Sequence, residues 1–68
     1  MKTKTKIDIA IGDHGSIILF TPMNDEAKKW IRDNVQPDAQ WYGNSLAVER
    51  RYAANLADGM RIHGFNLA

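Results

Sequence analysis

The sequence predicts an α+β domain in two layers, a small antiparallel sheet with two helices on one face. The element order is β-β-α-β-α, with a short hairpin arm at Trp41–Ser45. Three observations predict it. Ile7, Ile9 and Ile11 alternate with Lys6, Asp8 and Ala10, the period of two of a strand with one buried side. Asn24, Asp25 and Glu26 then open a segment whose apolar residues recur at helical spacing. A second helical pattern begins at Arg50 and stops at Gly64.

Lys2, Lys4 and Lys6 continue the polar side of the first strand, and lysines in that alternation discourage edge-to-edge pairing. The strand is therefore expected at a sheet edge. Gly12, Asp13, His14 and Gly15 supply turn chemistry and predict a hairpin. Asp13 and His14 carry the residue types of an acid and a base, but neighbours in a turn seldom converge on one atom. Ser16 to Thr21 is almost continuously apolar, which suits a central strand covered on both faces or lying at an interface, and Pro22 ends it.

In the first helix Asn24 is the N-cap and the carboxylates of Asp25 and Glu26 sit at the positive end of the dipole. Ala27, Trp30, Ile31 and Val35 form its inner stripe. Asp25 with Lys29, and Lys29 with Asp33, have ion-pair spacing, so Lys28, Lys29 and Arg32 read as a solvated face. Gln36, Pro37 and Asp38 close the helix.

Trp41 and Tyr42 lead into Gly43, Asn44 and Ser45, a tight hairpin with Gly43 first in its turn as type II′ prefers. Ser45 to Glu49 reads as strand, with the start of the last helix as the competing reading. From Arg50, the arc of Tyr52, Leu56, Gly59, Met60 and His63, with Ala53 at its edge, is the expected buried face. Gly59 within that arc predicts close approach of another backbone. Gly64 takes the left-handed position past the helix and Phe65 folds back toward Met60.

Sixty-eight residues form one domain, 1–68, with a core too small for much margin. There is no cysteine, so disulfides and thiolate metal sites are excluded, and two unclustered histidines argue against zinc. No metal or cofactor is expected. Oligomerisation is the remaining common way to stabilise so short a chain, which predicts a homodimer. The net charge of +1 does not by itself call for a polyanion. No secretory signal and no membrane-length apolar run is present, so the expected location is cytoplasmic.

No catalytic signature is found: there is no P-loop, dinucleotide glycine pattern, nucleophile elbow or HExxH. The chain is expected to be non-enzymatic, acting as a protein-interaction module through Trp41, Tyr42, Arg50 and Arg51, since rings and guanidinium groups are enriched in interfaces. One alternative is a nucleic-acid accessory protein using Lys2, Lys4, Lys6, Arg50 and Arg51. Another is a small enzyme centred on His63 and Glu49.

The segments WYG, VERRY and LADGMRIHGF together resemble a family of short bacterial and phage-borne proteins of unassigned function. That resemblance implies an α+β fold with a hairpin, a helix, a further strand and a closing helix, and implies no reaction. A ribbon-helix-helix regulator does not fit, because that family has one strand before its helices and here two precede the first.

Overall fold

The computed structural model describes residues 6–35 and 39–68. Lys2 and Lys4, and the helix-closing segment 36–38, lie outside the described residues. β1 (Ile9–His14) and β2 (Ile17–Pro22) make the first hairpin, and α1 spans Asp25–Asn34. β3 (Gln40–Tyr42) and β4 (Ser45–Glu49) make the second, and α2 spans Arg50–His63. The strands lie in the order β1-β2-β4-β3, and every neighbouring pair is antiparallel. This is the expected α+β class with one correction. The Trp41–Ser45 segment is no appended arm, since its first strand completes the sheet and the order becomes β-β-α-β-β-α.

Side-chain alternation decides which face is covered. Ile9 in β1, Ile18 and Phe20 in β2, and Leu46 in β4 are buried on the inner face, together with Ala27 and Ile31 of α1 and Ala53, Ala57 and Met60 of α2. Cross-strand pairing aligns these positions: Ile11 faces Phe20, Phe20 faces Leu46, and Leu46 faces Trp41. α1 rests on β2, and α2 on β4 and β2.

The first turn lies later than the sequence suggests. Gly12, Asp13 and His14 belong to β1, and the hairpin is closed by Gly15 and Ser16 alone. Asp13 helps fix it, because its carboxylate accepts a bond from the Gly15 N–H at 3.0 Å.

Asn24 caps α1 as expected, its Oδ1 accepting from the Ala27 N–H at 2.8 Å. The amide nitrogen of the same side chain donates to Asp8 Oδ1 at 2.8 Å. Asp8 Oδ2 in turn accepts from the Asn66 N–H at 2.9 Å, and residues 66–68 run beside β1 through a parallel bridge between Ile9 and Leu67. The outer edge of β1 is thereby covered by backbone bonds such as Ile11 N–H to the Ala68 carbonyl at 2.6 Å. One carboxylate thus joins the start of β1, the helix cap and the tail.

These bonds, that from the Asn66 N–H first and that from Asn24 next, hold Asp8 below the ordinary aspartate pKa. A depressed carboxylate contributes stability above its unfolded pKa and loses it as pH falls through the folded value, so the latch is expected to release below about pH 4. Amide exchange at Asn66 and Ala68 should then rise ahead of exchange at Phe20, and Asp8→Asn should bring the same early exchange at neutral pH. Equal protection of the tail in that variant would show that Asp8 does not hold it.

α2 begins and ends where its pattern predicts. Gly64 has φ +109°, its N–H donates to the Arg61 carbonyl at 3.0 Å, and Phe65 N–H donates to the Met60 carbonyl at 3.0 Å, the paired bonds of a Schellman ending. The buried arc is rotated from the expected one. Ala53, Ala57 and Met60 face the sheet, Leu56 is half-buried, and Tyr52 and His63 are exposed. Small residues win the inner stripe because alanine lets the helix lie close to β2 and β4.

Gly59 also meets something other than expected. A methyl group placed there would stand 3.6 Å from the Trp30 ring, an ordinary contact, and among the described residues no backbone of another element comes within 4 Å of it. Gly59→Ala is therefore expected to stabilise the fold by roughly 0.5–1 kcal/mol, through helix propensity. A higher urea midpoint at unchanged slope checks this, and a lower midpoint would contradict it.

Candidate functional site

The side of the sheet away from the helices carries an ordered grid. At one end Ile17 stands between His14 and Glu49. The middle row is Gly12, Leu19, Ala47 and Gln40, and the last is Ala10, Thr21, Ser45 and Tyr42. Only Glu49 and His14 are titratable among the non-phenolic residues here, and both stand at the rim. The centre is apolar or small. Thr21 and Ser45 share a hydroxyl hydrogen bond, which uses part of their polar capacity within the chain. The His14 ring lies over Gly12, its Nε2 at 3.3 Å from where a β-carbon of residue 12 would be. Among the described residues no element covers this face.

The reason is the sequence of β2. Isoleucine and leucine occupy both of its sides: Ile18 and Phe20 meet the helices, and Ile17 and Leu19 face outward. A strand in a sheet solvated on one side normally alternates with polar residues there. β2 was expected to be central, and it is, with cover on one face within the chain.

Arg50 fixes the end of the grid. Its backbone N–H donates to the Ser16 carbonyl at 2.8 Å, its Nε to the Gly15 carbonyl at 2.7 Å, and its guanidinium pairs with Asp13. Glu49 gives α2 no side-chain cap, so the hairpin turn takes the role of N-terminal acceptor. The Arg50 guanidinium and then the Gly15 N–H hold the Asp13 carboxyl below its usual range.

The residues singled out from sequence do not form one patch. Trp41 is half-buried on the inner face against the core, whereas Tyr42 is 63% exposed on the open face. Arg50 and Arg51 lie beyond the far end of β4 from Tyr42. Arg51 reaches Glu49 at 3.2 Å and lies 4.9 Å from the centre of the Tyr52 ring. Of the lysines proposed for nucleic acid, Lys6 is exposed near the tail, where its carbonyl accepts from Asn66. Both arginines of that set are tied to carboxylates.

His63 and Glu49 flank α2 at opposite ends, roughly 20 Å apart at ~1.5 Å per residue, so they cannot act on one atom. His63 stacks with Phe65 at 4.9 Å and Trp30 at 5.8 Å between ring centres. Among the described residues no three histidine, aspartate or glutamate side chains gather as metal ligands would. No helix among them is long and apolar enough to cross a membrane.

Clefts border these elements among the described residues. One of about 890 Å³ runs between the end of α1, β3, β4 and the first half of α2, with Val35, Val48 and Leu56 among its walls. One of about 330 Å³ lies by Ser16, Glu49 and Arg51, and one of about 270 Å³ lies between α1 and the β3–β4 turn.

Fold and surface together define a small α+β domain whose sheet is covered on one side and open, with an apolar centre, on the other. No known protein family, curated protein or solved structure matches the chain.

Proposed function

We propose that the protein is a small cytoplasmic, non-enzymatic interaction module that works as a homodimer, and that the open sheet face is where the two copies meet. The observation that carries this reading is the outward pair Ile17 and Leu19 in the central strand, set among Ala10, Gly12 and Ala47 with no covering layer. An apolar sheet face left in water is costly for a chain with so small a core.

The face itself is complementary to a second copy of the chain. A two-fold axis parallel to the strands, between β2 and β4, sets β2 over β4 of the second copy and β1 over its β3. Leu19 then meets Ala47, and Tyr42 meets Ala10, large against small in each case. Gln40 meets the His14 ring where it lies over Gly12. Charge also favours a like partner over a polyanion, because no lysine or arginine belongs to the grid.

Strands about 4.8 Å apart and residues rising ~3.3 Å give a face on the order of 300 Å² in plan, below the roughly 800 Å² per partner of a standard interface and in the range of weak, transient ones. The expected dissociation constant is therefore about micromolar or weaker. Sedimentation across concentrations spanning that range should show the mass rise from one chain to two, with amide protection gained at Leu19 and Ala47. A single-chain mass throughout, with unchanged exchange on these strands, overturns the reading.

A further inference from the structure

We infer that the cleft between α1 and the β3–β4 turn is a binding site for a small phosphorylated ligand. Its walls are Lys28, Arg32, Trp41, Gly43 and Asn44, around a volume of about 270 Å³. These residues come from two consecutive elements, α1 and the β3–β4 hairpin, and among the described residues no carboxylate lines the cleft.

The charge pattern sets this place apart. Arg50, Arg51 and Arg61 each reach a carboxylate, as does Lys29. Arg32 and Lys28 reach none among the described residues. They stand four apart on α1, where like charges face and repel each other. An arrangement that disfavours the empty helix favours a dianion placed between its two charges. Arginine supplies a planar fork matched to phosphate oxygens and lysine a mobile ammonium.

Asn44 adds an amide in the tight turn held by Gly43, whose φ is +59°. The Trp41 ring closes the inner wall and offers an apolar surface for the organic part of a phosphomonoester. The volume suits a phosphoryl group with a few attached atoms and is small for a polymer. Both phosphate itself and an organic phosphomonoester satisfy this chemistry. The cleft opens on the helix side of the sheet, so it remains accessible with the outer face occupied, and this inference does not depend on the dimer.

The test follows the two indole N–H signals during titration of the full chain with inorganic phosphate and, separately, with phenyl phosphate. Sodium chloride at matched ionic strength is the control. Trp30, which packs with His63 and Phe65 and does not line the cleft, is the internal reference. Trp41 and Asn44 should shift saturably while Trp30 stays in place. Arg32→Gln and Lys28→Gln should each weaken binding roughly tenfold to hundredfold, as loss of a charged hydrogen bond does, with melting kept or slightly raised as the repulsion between the two charges is relieved. Tighter binding of phenyl phosphate identifies an organic phosphomonoester, and equal binding identifies phosphate as the sufficient ligand. A Trp41 shift no larger than chloride produces, or one that survives both substitutions together, overturns the assignment.

Discussion

Phe20→Ala is expected to leave the chain without a cooperative unfolding transition at room temperature. Phe20 is 1% exposed at the middle of β2, the strand on which both helices rest. Its neighbours across the sheet on the same face are Ile11 and Leu46, so its ring spans the contact between the β1–β2 hairpin and the β3–β4 hairpin. Truncating a buried phenylalanine costs roughly 3–5 kcal/mol, because the hole closes only in part. A chain of this length has about 3–10 kcal/mol in all, by the usual stability per residue. The loss is therefore between about a third and all of it, and the small core of so short a chain places the balance near the upper end. Circular dichroism melting and the dispersion of amide signals check the outcome, with Phe20→Leu as the milder comparison at about 1.5 kcal/mol or less. A cooperative melt of Phe20→Ala close to the parent's would show that the two hairpins do not depend on this ring.

The same local rules explain what can be read without coordinates. Asn24 followed by two carboxylates, and Gly64 followed by Phe65, are terminal chemistries that act over a few residues, and they mark the start of α1 and the end of α2. What escapes such reading is decided by register and by partners far along the chain. Three residues of β3 contain too little alternation to announce a sheet strand, and its place beside β4 follows only once Leu46 is known to pair with both Phe20 and Trp41. The tail's pairing with β1 uses backbone groups, which carry no side-chain pattern.

Alpha-helical spacing alone favours the large side chains Tyr52 and His63 for the inner stripe, yet close approach to the sheet selects Ala53 and Ala57. For the open face the apolar run of β2 is visible in sequence, but the gathering of Ala10, Gly12 and Ala47 around it needs the register of three strands. The cleft at Trp41 is a different case. Arg32 has a lysine rather than an acid one turn earlier, a local signal that sets it apart from Lys29, whose partner Asp33 is 3.0 Å away.

Mixing two variants of the open face is expected to produce a dimer that neither forms alone. Leu19→Ala leaves small residues at both positions 19 and 47, so across a two-fold axis parallel to the strands each would face a gap. Ala47→Leu places leucine at both and each would collide with its counterpart. A gap forfeits the burial of a side chain, roughly 1.5–3 kcal/mol at each of the two symmetric contacts, and overpacking costs a similar 1–3 kcal/mol. Either homodimer should therefore weaken roughly thirtyfold or more, since about 1.4 kcal/mol is tenfold.

One copy of each restores a leucine against an alanine at both contacts, and the mixed pair should regain most of the parent affinity. Neither side chain belongs to the helix-facing core, so each variant keeps its fold and its melting transition serves as the control. With the two-fold perpendicular to the strands, position 19 would meet position 19 and position 47 would meet position 47, which also sets leucine against alanine in the mixed pair, so the axis is read from the contacts and not from the yield. Isotope-filtered NMR of the mixture distinguishes the two arrangements: the leucine at 19 in one copy touches position 47 of the other for the parallel axis and position 19 for the perpendicular one. The absence of any mixed species rules out pairing of Leu19 with Ala47 across copies.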